Sequence, residues 1–167
     1  MSAEEPRIAV CPGSYDPVTN GHLDIIGRAS RVFDKVVVGV VNQPVRKQKT
    51  LFTAEERKAF LEDATADLGN VEVEVFSNLL VEFARSKNAT AVVKGLRAIS
   101  DFEYEFEMNQ LNRLLASEIE SMYIFASAAY SFLSSTGVKE MATFGGDVSE
   151  LVPEPVAKVL AERLKRE

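Results

Sequence analysis

One stretch of the sequence decides the fold: Cys11-Pro12-Gly13-Ser14-Tyr15-Asp16-Pro17-Val18-Thr19-Asn20-Gly21-His22. It follows a short apolar run at residues 8–10 and precedes a helical pattern at residues 23–33. The pattern predicts the first strand-to-helix turn of an α/β domain. Glycine and small polar residues let the backbone approach a ligand, and the helix directs its unpaired N–H groups and positive dipole end at the turn. We therefore expect a phosphate to bind where this turn ends.

Strand and helix patterns alternate along the rest of the chain. Residues 36–41 form a nearly continuous β-branched run, typical of a parallel strand buried on both faces. Residues 53–56 form a capping box that begins a helix, expected to reach about residue 67. Further strands are predicted at residues 71–76, 91–93 and 122–126, and further helices at residues 79–87, 101–117, 135–143 and 155–166. This order predicts an α/β fold, a doubly wound parallel five-stranded sheet in a single domain of residues 1–167, with residues 1–6 expected to be disordered.

Unusual polar residues follow every predicted strand. They lie at residues 13–22, 42–50, 77–80, 94–101 and 127–136. Ligands of doubly wound sheets bind beyond the carboxyl ends of the strands, near the point where the strand order reverses. We therefore expect these loops to form one site.

Composition excludes several classes of function. The chain has one cysteine and one histidine, so neither a disulfide framework nor a protein-built zinc site is expected, and a free thiol fits the cytoplasm. The apolar runs are of strand length, and residues 1–7 do not resemble a signal peptide, so no membrane partner is expected. The net charge of −6 argues against general nucleic-acid binding. The cations nevertheless cluster, with Arg46, Lys47 and Lys49 on one loop and Lys94 and Arg97 on another.

The turn at residues 12–22 resembles the (H/T)xGH signature of the nucleotidyltransferases. Three later strings narrow the resemblance: Lys94-Gly95-Leu96-Arg97, Asp101-Phe102-Glu103-Tyr104-Glu105 and Ser134-Ser135-Thr136-Gly137-Val138-Lys139-Glu140. Together they make the chain similar to the bacterial phosphopantetheine adenylyltransferase family. The similarity extends from about residue 7 to the final helix, with the motifs in the order of the family.

The resemblance implies a Rossmann-like nucleotidyltransferase fold and a reaction. AMP would pass from ATP to 4′-phosphopantetheine, giving dephospho-coenzyme A and pyrophosphate in the penultimate step of coenzyme A synthesis, by direct in-line attack on the α-phosphorus. The implied cofactor is Mg²⁺, bound mainly through the ATP phosphates and water, so no protein metal ligand is assigned. The family also implies a homohexamer, with coenzyme A as a candidate feedback inhibitor.

By the same resemblance, the catalytic candidates are His22, Lys94 and Ser14. His22 would donate a hydrogen bond to the α-phosphate; the alternative is a helix-start histidine satisfied by the backbone. Ser14 would contact both the attacking phosphate and ATP, or else only stabilise the turn. Lys94 would contact the phosphate of phosphopantetheine. Thr19 could cap the helix or touch phosphate.

The other implied contacts lie beside these motifs. Those to ATP are Tyr15 through its backbone, Gly95, Leu96, Arg97, Glu105 and the run Tyr130, Ser131, Phe132, Leu133, Ser134, Ser135 and Thr136, alongside Ser14 and His22. Phosphopantetheine would further contact Leu80 and a cation after the second strand, best matched by Arg46 or Lys47. Asp101 is expected to be a helix N-cap, and Asp16 to stabilise the turn more than to assist magnesium.

Other functions remain open on sequence alone. An enzyme that adenylylates nicotinamide mononucleotide, or a cytidylyltransferase, would share the TxGH chemistry and differ in its acceptor pocket. A flavodoxin-like regulator would bind ATP without releasing pyrophosphate. Cations and hydroxyls after several strands favour an enzyme, because nucleotide binding alone requires fewer of them.

Overall fold

The computed structural model describes residues 5–45 and 49–164. The strands are β1 Ile8–Gly13, β2 Lys35–Val41, β3 Val71–Phe76, β4 Ala91–Leu96 and β5 Glu120–Phe125. They form one parallel sheet in the order β3-β2-β1-β4-β5. The order reverses between β1 and β4, so the predicted doubly wound five-stranded sheet is confirmed.

Helices fill the connections between the strands. In the described ranges they are α1 Asn20–Ser30, α2 Ala54–Ala64, α3 Leu80–Ser86, α4 Ile99–Leu115, α5 Ser135–Thr143 and α6 Glu154–Leu164, with a short 3₁₀ turn at Ala128–Tyr130. Three expectations fall wholly or partly outside the described residues. They are the disorder of residues 1–6, of which 1–4 are not described, the end of the last helix beyond residue 164, and the roles of Arg46 and Lys47.

The central strands alternate between two hydrophobic cores, one on each face of the sheet. Ala9, Val36 and Val38 lie in the first core, together with residues of α1, α2, α5 and α6. Val10 and Val37 lie in the second core, together with residues of α3. The valines of β2 from Val36 to Val38 are fully buried, which confirms the prediction of a strand covered on both faces.

β1 and β4 are longer than the sequence pattern predicts. β1 continues to Gly13 rather than residue 10 because its ladder with β2 continues that far, and β4 continues to Leu96 rather than residue 93 because of its ladder with β5. The two strands pair with each other only as far as Val10 and Val92. Pro12, which has no N–H to donate, lies beyond that last pair. A crevice therefore opens between the two strand ends, where the strand order reverses.

Three helices begin earlier than predicted: α1, α4 and, by one residue, α6. α1 begins before residue 23 because Thr19 caps it: the Thr19 hydroxyl accepts from the His22 N–H at 3.3 Å, and the Thr19 N–H donates to His22 Nδ1 at 3.0 Å. α4 begins at Ile99 with Ala98 as its N-cap, so the expectation that Asp101 is the cap is wrong. Four helices also end earlier than predicted, at Ser30, Ala64, Ser86 and Leu115. Turns with i→i−3 bonds follow the first three, and the extended backbone of Ala116 ends the fourth.

A buried carboxylate fixes the turn after β1. Asp16 is inaccessible to solvent and accepts from the N–H groups of Leu51 and Phe52 at 3.0 and 2.9 Å. Lys139 of α5 donates to it at 2.8 Å. Burial opposes ionisation, but the hydrogen bonds and the charge of Lys139 outweigh it and hold the pKa of Asp16 below its ordinary value. Asp16 thus connects three parts of the chain: the turn after β1, the segment that precedes α2, and helix α5.

We expect Asp16→Asn to lower the free energy of unfolding by about 3 kcal/mol at pH 7, because it leaves the Lys139 ammonium without its partner. The depressed pKa means that the folded protein binds this proton more weakly than the unfolded chain does. The contribution of Asp16 is therefore complete above pH ~4 and is lost as the pH falls through the folded pKa. Urea unfolding of wild type and variant across this range measures both effects.

The double variant Asp16→Asn, Lys139→Met serves as the matched control. It removes the unpaired ammonium and should recover part of the loss in unfolding free energy. If wild type and Asp16→Asn differed as much at pH 3 as at pH 7, ionisation of Asp16 would not be the source of its contribution.

Candidate active site

A cleft of about 760 Å³ lies at the carboxyl ends of β1 and β4. It contains the turn after β1, the N-terminal ends of α1 and α5, and one side of α4. The predicted site residues that line it are Ser14, Tyr15, His22, Leu80, Lys94, Gly95, Arg97, Glu105, Tyr130, Leu133, Ser134, Ser135 and Thr136. The structure thus brings together residues that follow four of the five strands.

The hydrogen bonding of His22 defines its tautomer. Because the Thr19 N–H can only donate, the Nδ1 atom of His22 accepts its hydrogen bond. A neutral imidazole then carries its proton on Nε2 and can donate there to a ligand. The alternative of a histidine satisfied by the backbone is thus correct for Nδ1, and it is the same contact that prepares Nε2 as a donor.

The ring of Tyr15 supports His22 from below the cleft. It is buried, its hydroxyl donates to the Cys11 carbonyl at 2.9 Å, and it meets the imidazole edge-to-face at 5.0 Å between centroids. Tyr15 has φ of 48°, a left-handed conformation that bends the chain sharply beside Ser14. Burial raises the pKa of the Cys11 thiol to about 12, so this thiol is no nucleophile at neutral pH.

Two cations, Lys94 on β4 and Arg97 directly after it, are each paired with an acid of α4. Lys94 Nζ lies 2.8 Å from Glu105 Oε2, with both side chains largely buried. Arg97 makes two side-chain bonds to the Asp101 carboxylate, at 3.1 and 3.2 Å, and donates to the Leu133 carbonyl at 2.9 Å. Asp101 also accepts from the Arg97 N–H at 3.0 Å. Burial opposes ionisation of Asp101, but these bonds and the arginine charge hold its pKa below the ordinary value.

Gly95 has a packing reason in addition to its predicted contact with ATP. A Cβ at this position would lie 2.9 Å from a side-chain carbon of Ile25 on α1. Only a glycine therefore lets β4 approach α1 this closely. The close approach packs the middle of α1 against β4 beside the crevice.

The hydroxyls before and within α5 are largely engaged by the protein itself. Ser134 is the N-cap and accepts from the Gly137 N–H at 3.0 Å, and the buried Ser135 donates to the Pro17 carbonyl at 2.7 Å. Ser131 donates to the Ala128 carbonyl at 3.1 Å. What α5 directs into the cleft is therefore the positive end of a helix, with Thr136 beside it.

Some predicted site residues lie elsewhere. Leu96 has its side chain buried, and Ser131 and Phe132 are not among the residues that line the cleft. Arg46 and Lys47 lie outside the described residues. Lys49, the third cation of that loop, is exposed.

Sequence reasoning missed one wall of the cleft. Ser100, Tyr104 and Met108 line it from α4 at a spacing of one helical turn, next to Asp101 and Glu105. That spacing was a usable signal, because residues four apart on a helix share a face. Pro44 and Val45, which also line the cleft, lie in the predicted loop after β2, whereas Phe76 at the end of β3 was not predicted and carries no such pattern.

The described residues contain no group of three or more His, Cys, Asp and Glu side chains that could hold a metal ion. Asp16, the one acid of the turn, is committed to Lys139 and two backbone N–H groups. A magnesium ion would therefore fit this cleft as a companion of a polyphosphate rather than in a protein cage. Among the described helices, none is long and apolar enough to span a membrane.

The arrangement suits two anionic reactants. The N-terminal ends of α1 and α5 both face the cleft, the imidazole of His22 offers a neutral donor, and Lys94 adds a positive charge from the floor. Apolar residues on α4 and β3 leave room for a non-phosphate portion of a ligand. Such a cleft can hold two phosphates in line and stabilise charge between them.

A second arginine beneath the site was not predicted. Arg57 lies on the inward side of α2 and donates to the Ser14 carbonyl at 2.7 Å. Its position between Ala54 and Leu61 on the buried side of the helix was the available signal, since a charge there has a specific partner.

Comparison with known proteins identifies the family and confirms the resemblance seen in the sequence. Residues 10–141 match the family model described as cytidylyltransferase-like. Over 160 residues the chain is 54% identical to the phosphopantetheine adenylyltransferase of Rubrobacter xylanophilus, covering 96% of each chain. Over 160 residues it is 48% identical to that of Caldanaerobacter subterraneus subsp. tengcongensis, covering 96% of this chain and 99% of the relative.

The fold is also found among solved structures. A Vibrio parahaemolyticus protein, described as a candidate nicotinate-nucleotide adenylyltransferase, superposes with a TM-score of 0.69 at 17% identity, over 95% of this chain and 93% of that chain. This similarity shows the fold alone. With the family match and the two curated relatives, the chain belongs to the cytidylyltransferase-like family and, within it, to the phosphopantetheine adenylyltransferases.

Proposed function

We propose that the cleft transfers AMP from ATP to 4′-phosphopantetheine, giving dephospho-coenzyme A and pyrophosphate. The observation that carries this is the convergence of His22, Lys94 and the start of α5 at the crevice between β1 and β4. Each of the two substrates brings a phosphate to that point. The chain is 54% and 48% identical, over nearly its full length, to two phosphopantetheine adenylyltransferases. This identity supports phosphopantetheine, rather than nicotinamide mononucleotide, as the acceptor.

His22 is the donor to the α-phosphate. Its Nε2 proton is fixed by the bond at Nδ1, so the donor is in place before the substrates arrive. Negative charge on the α-phosphate oxygens increases as the attacking oxygen approaches, so this hydrogen bond strengthens towards the transition state. The side chain gives up no proton in the process and forms no covalent intermediate.

ATP occupies the side of the cleft formed by α1, α4 and α5. Its β- and γ-phosphates, which leave as pyrophosphate, lie at the N-terminal end of α5 near Ser134, Ser135 and Thr136. The N–H groups of that helix end stabilise the leaving charge. Magnesium, where bound to the triphosphate, neutralises part of its charge.

Phosphopantetheine occupies the side formed by the turn after β1 and the ends of β2 and β3. Ser14 contacts the attacking phosphate, Lys94 pairs with it, and Leu80 contacts the pantetheine arm. The phosphate competes for Lys94 with Glu105, whose carboxylate lies 2.8 Å from the Lys94 ammonium.

Wider features of the family are part of the proposal. Residues 1–167 form one nucleotidyltransferase domain in the cytoplasm, with Mg²⁺ carried by ATP and coenzyme A as a feedback inhibitor. A homohexamer is supported by α4, which has no buried residue in the chain alone and leaves Phe102, Phe106 and Leu114 exposed. Apolar surface of this extent on one helix is typical of a protein contact.

The acceptor assignment is tested by pyrophosphate release from ATP and magnesium, with 4′-phosphopantetheine and nicotinamide mononucleotide supplied separately. We expect turnover with phosphopantetheine alone, because Lys94 and the apolar walls suit a phosphate on a flexible arm. Turnover with the mononucleotide alone would overturn the acceptor. Release with neither, from folded protein that binds ATP, would replace the enzyme by a nucleotide-binding regulator.

The role of His22 is tested by three substitutions. His22→Ala should lower kcat by roughly 100-fold or more with a modest change in ATP affinity, since the lost bond is strongest in the transition state. His22→Asn keeps an acceptor near the Thr19 N–H but has no donor at the Nε2 position, so it should lose a similar factor. His22→Gln places an amide N–H near that position and should retain more activity. Equal losses in ATP binding and in kcat would contradict a transition-state role.

A further inference from the structure

Arg57 is a fully buried cation on the inward face of α2. It shares that face with Ala54 and Leu61, and 1% of its surface is exposed. Burial lowers the pKa of its guanidinium, opposed by the charges of Asp16 and Glu55. A charge is rarely found at such a position without a specific task.

The guanidinium is held by backbone carbonyls of three separate segments. Its Nη1 donates to the carbonyls of Ser14 and Val41 at 2.7 and 2.8 Å, and its Nη2 to that of Asn42 at 2.8 Å. Its Nε donates to the carbonyls of Phe52 and Thr53 at 3.1 and 3.2 Å. The segments are the turn after β1, the end of β2 and the start of α2.

Two of these three segments border the acceptor side of the cleft. Ser14 lies in the turn that lines it, and Val41 lines it from the end of β2. Phe52, in the third segment, lies at the end of the connection between β2 and α2. Its N–H donates to Asp16 at 2.9 Å. The β1–β2 ladder ends at the Gly13–Val40 pair, and Arg57 joins the next two residues, Ser14 and Val41, where the ladder no longer does.

The planar fork of arginine is what this task requires. Its three nitrogens donate in directions fixed by the planar group, so the carbonyls that accept from them cannot shift independently of one another. A lysine would keep the charge but gather its donors at one atom. An apolar side chain of similar volume would fill the space but would leave all five carbonyl oxygens without this donor, which costs stability as well as position.

We propose that Arg57 is a positioning residue that holds Ser14 in register with the end of β2, so that the acceptor phosphate meets the α-phosphorus in line. The inference rests on the proposed function, because the register matters only if an acceptor is aligned there. In the proposed function ATP occupies the side formed by α1, α4 and α5, which the five hydrogen bonds of Arg57 do not reach, and Ser14 is the one ATP contact that Arg57 holds.

Arg57→Lys and Arg57→Met test the proposal against a matched control, Arg163→Met. Arg163 of α6 holds the same segment from outside: it pairs with Glu56, donates to the Leu51 carbonyl at 3.4 Å and lies 4.9 Å from the centre of the Phe52 ring. Its hydrogen bonds do not reach Ser14 or Val41. The measurements are kcat, KM for each substrate, ATP affinity by calorimetry, and urea unfolding.

For Arg57→Lys we expect kcat/KM for phosphopantetheine to fall roughly 10- to 100-fold, with ATP affinity changed less than about threefold. Arg57→Met should lower kcat/KM for phosphopantetheine by a larger factor. Arg163→Met should lower the free energy of unfolding while keeping kcat and the KM for each substrate near wild type.

Three results would overturn the proposal. One is a folded Arg57→Lys protein with wild-type kinetic constants, and another is an equal kinetic loss in Arg163→Met at matched stability. The last is failure of both Arg57 variants to fold, which would assign the residue to folding alone. Failure of the proposed function is distinguishable, because wild-type protein would then show no turnover with phosphopantetheine.

Discussion

β1 and β4 stop pairing after Val10 and Val92, and the site depends on the gap that this leaves. Each strand continues with its other neighbour, so both ends stay rigid while they diverge. Backbone groups that face the gap are available to a ligand, and α1 packs beside the gap because Gly95 admits Ile25. Phosphate chemistry follows from this geometry, since the gap is bordered by helix N-terminal ends and by Lys94.

Buried charges keep the gap in shape. Asp16 ties the turn after β1 to α5 through Lys139, and Arg57 ties the same turn to the end of β2. Replacing a whole buried ion pair by apolar groups of similar volume often changes stability little, although removing one partner alone is costly. The directional bonds of these buried charges nevertheless specify one arrangement of the loops. Rigid placement of two substrates is the larger part of catalysis when phosphate attacks phosphate and the protein supplies no nucleophile.

Much of this could be predicted from local sequence. The β-branched run of β2, the capping boxes at Thr19 and Thr53 and the turn up to His22 each determine their own structure within a few residues. The strand ends, the Lys94–Glu105 pair and the carbonyl contacts of Arg57 could not be predicted, because each depends on a partner from another element. Asp101 shows the limit of local prediction. An acid near a helix start suggests a cap, but the Asp101 carboxylate accepts hydrogen bonds from Arg97 instead.

The central claim is a single in-line displacement at the α-phosphorus, with the protein providing position and hydrogen bonds only. It is tested most directly by the stereochemical course of the reaction with ATP in which sulfur replaces one non-bridging oxygen of the α-phosphate, in a single configuration at phosphorus. One displacement inverts the configuration at phosphorus, and this is the result that the geometry of the cleft predicts. Retention would contradict it, because retention requires two displacements and a covalent adenylyl-protein intermediate.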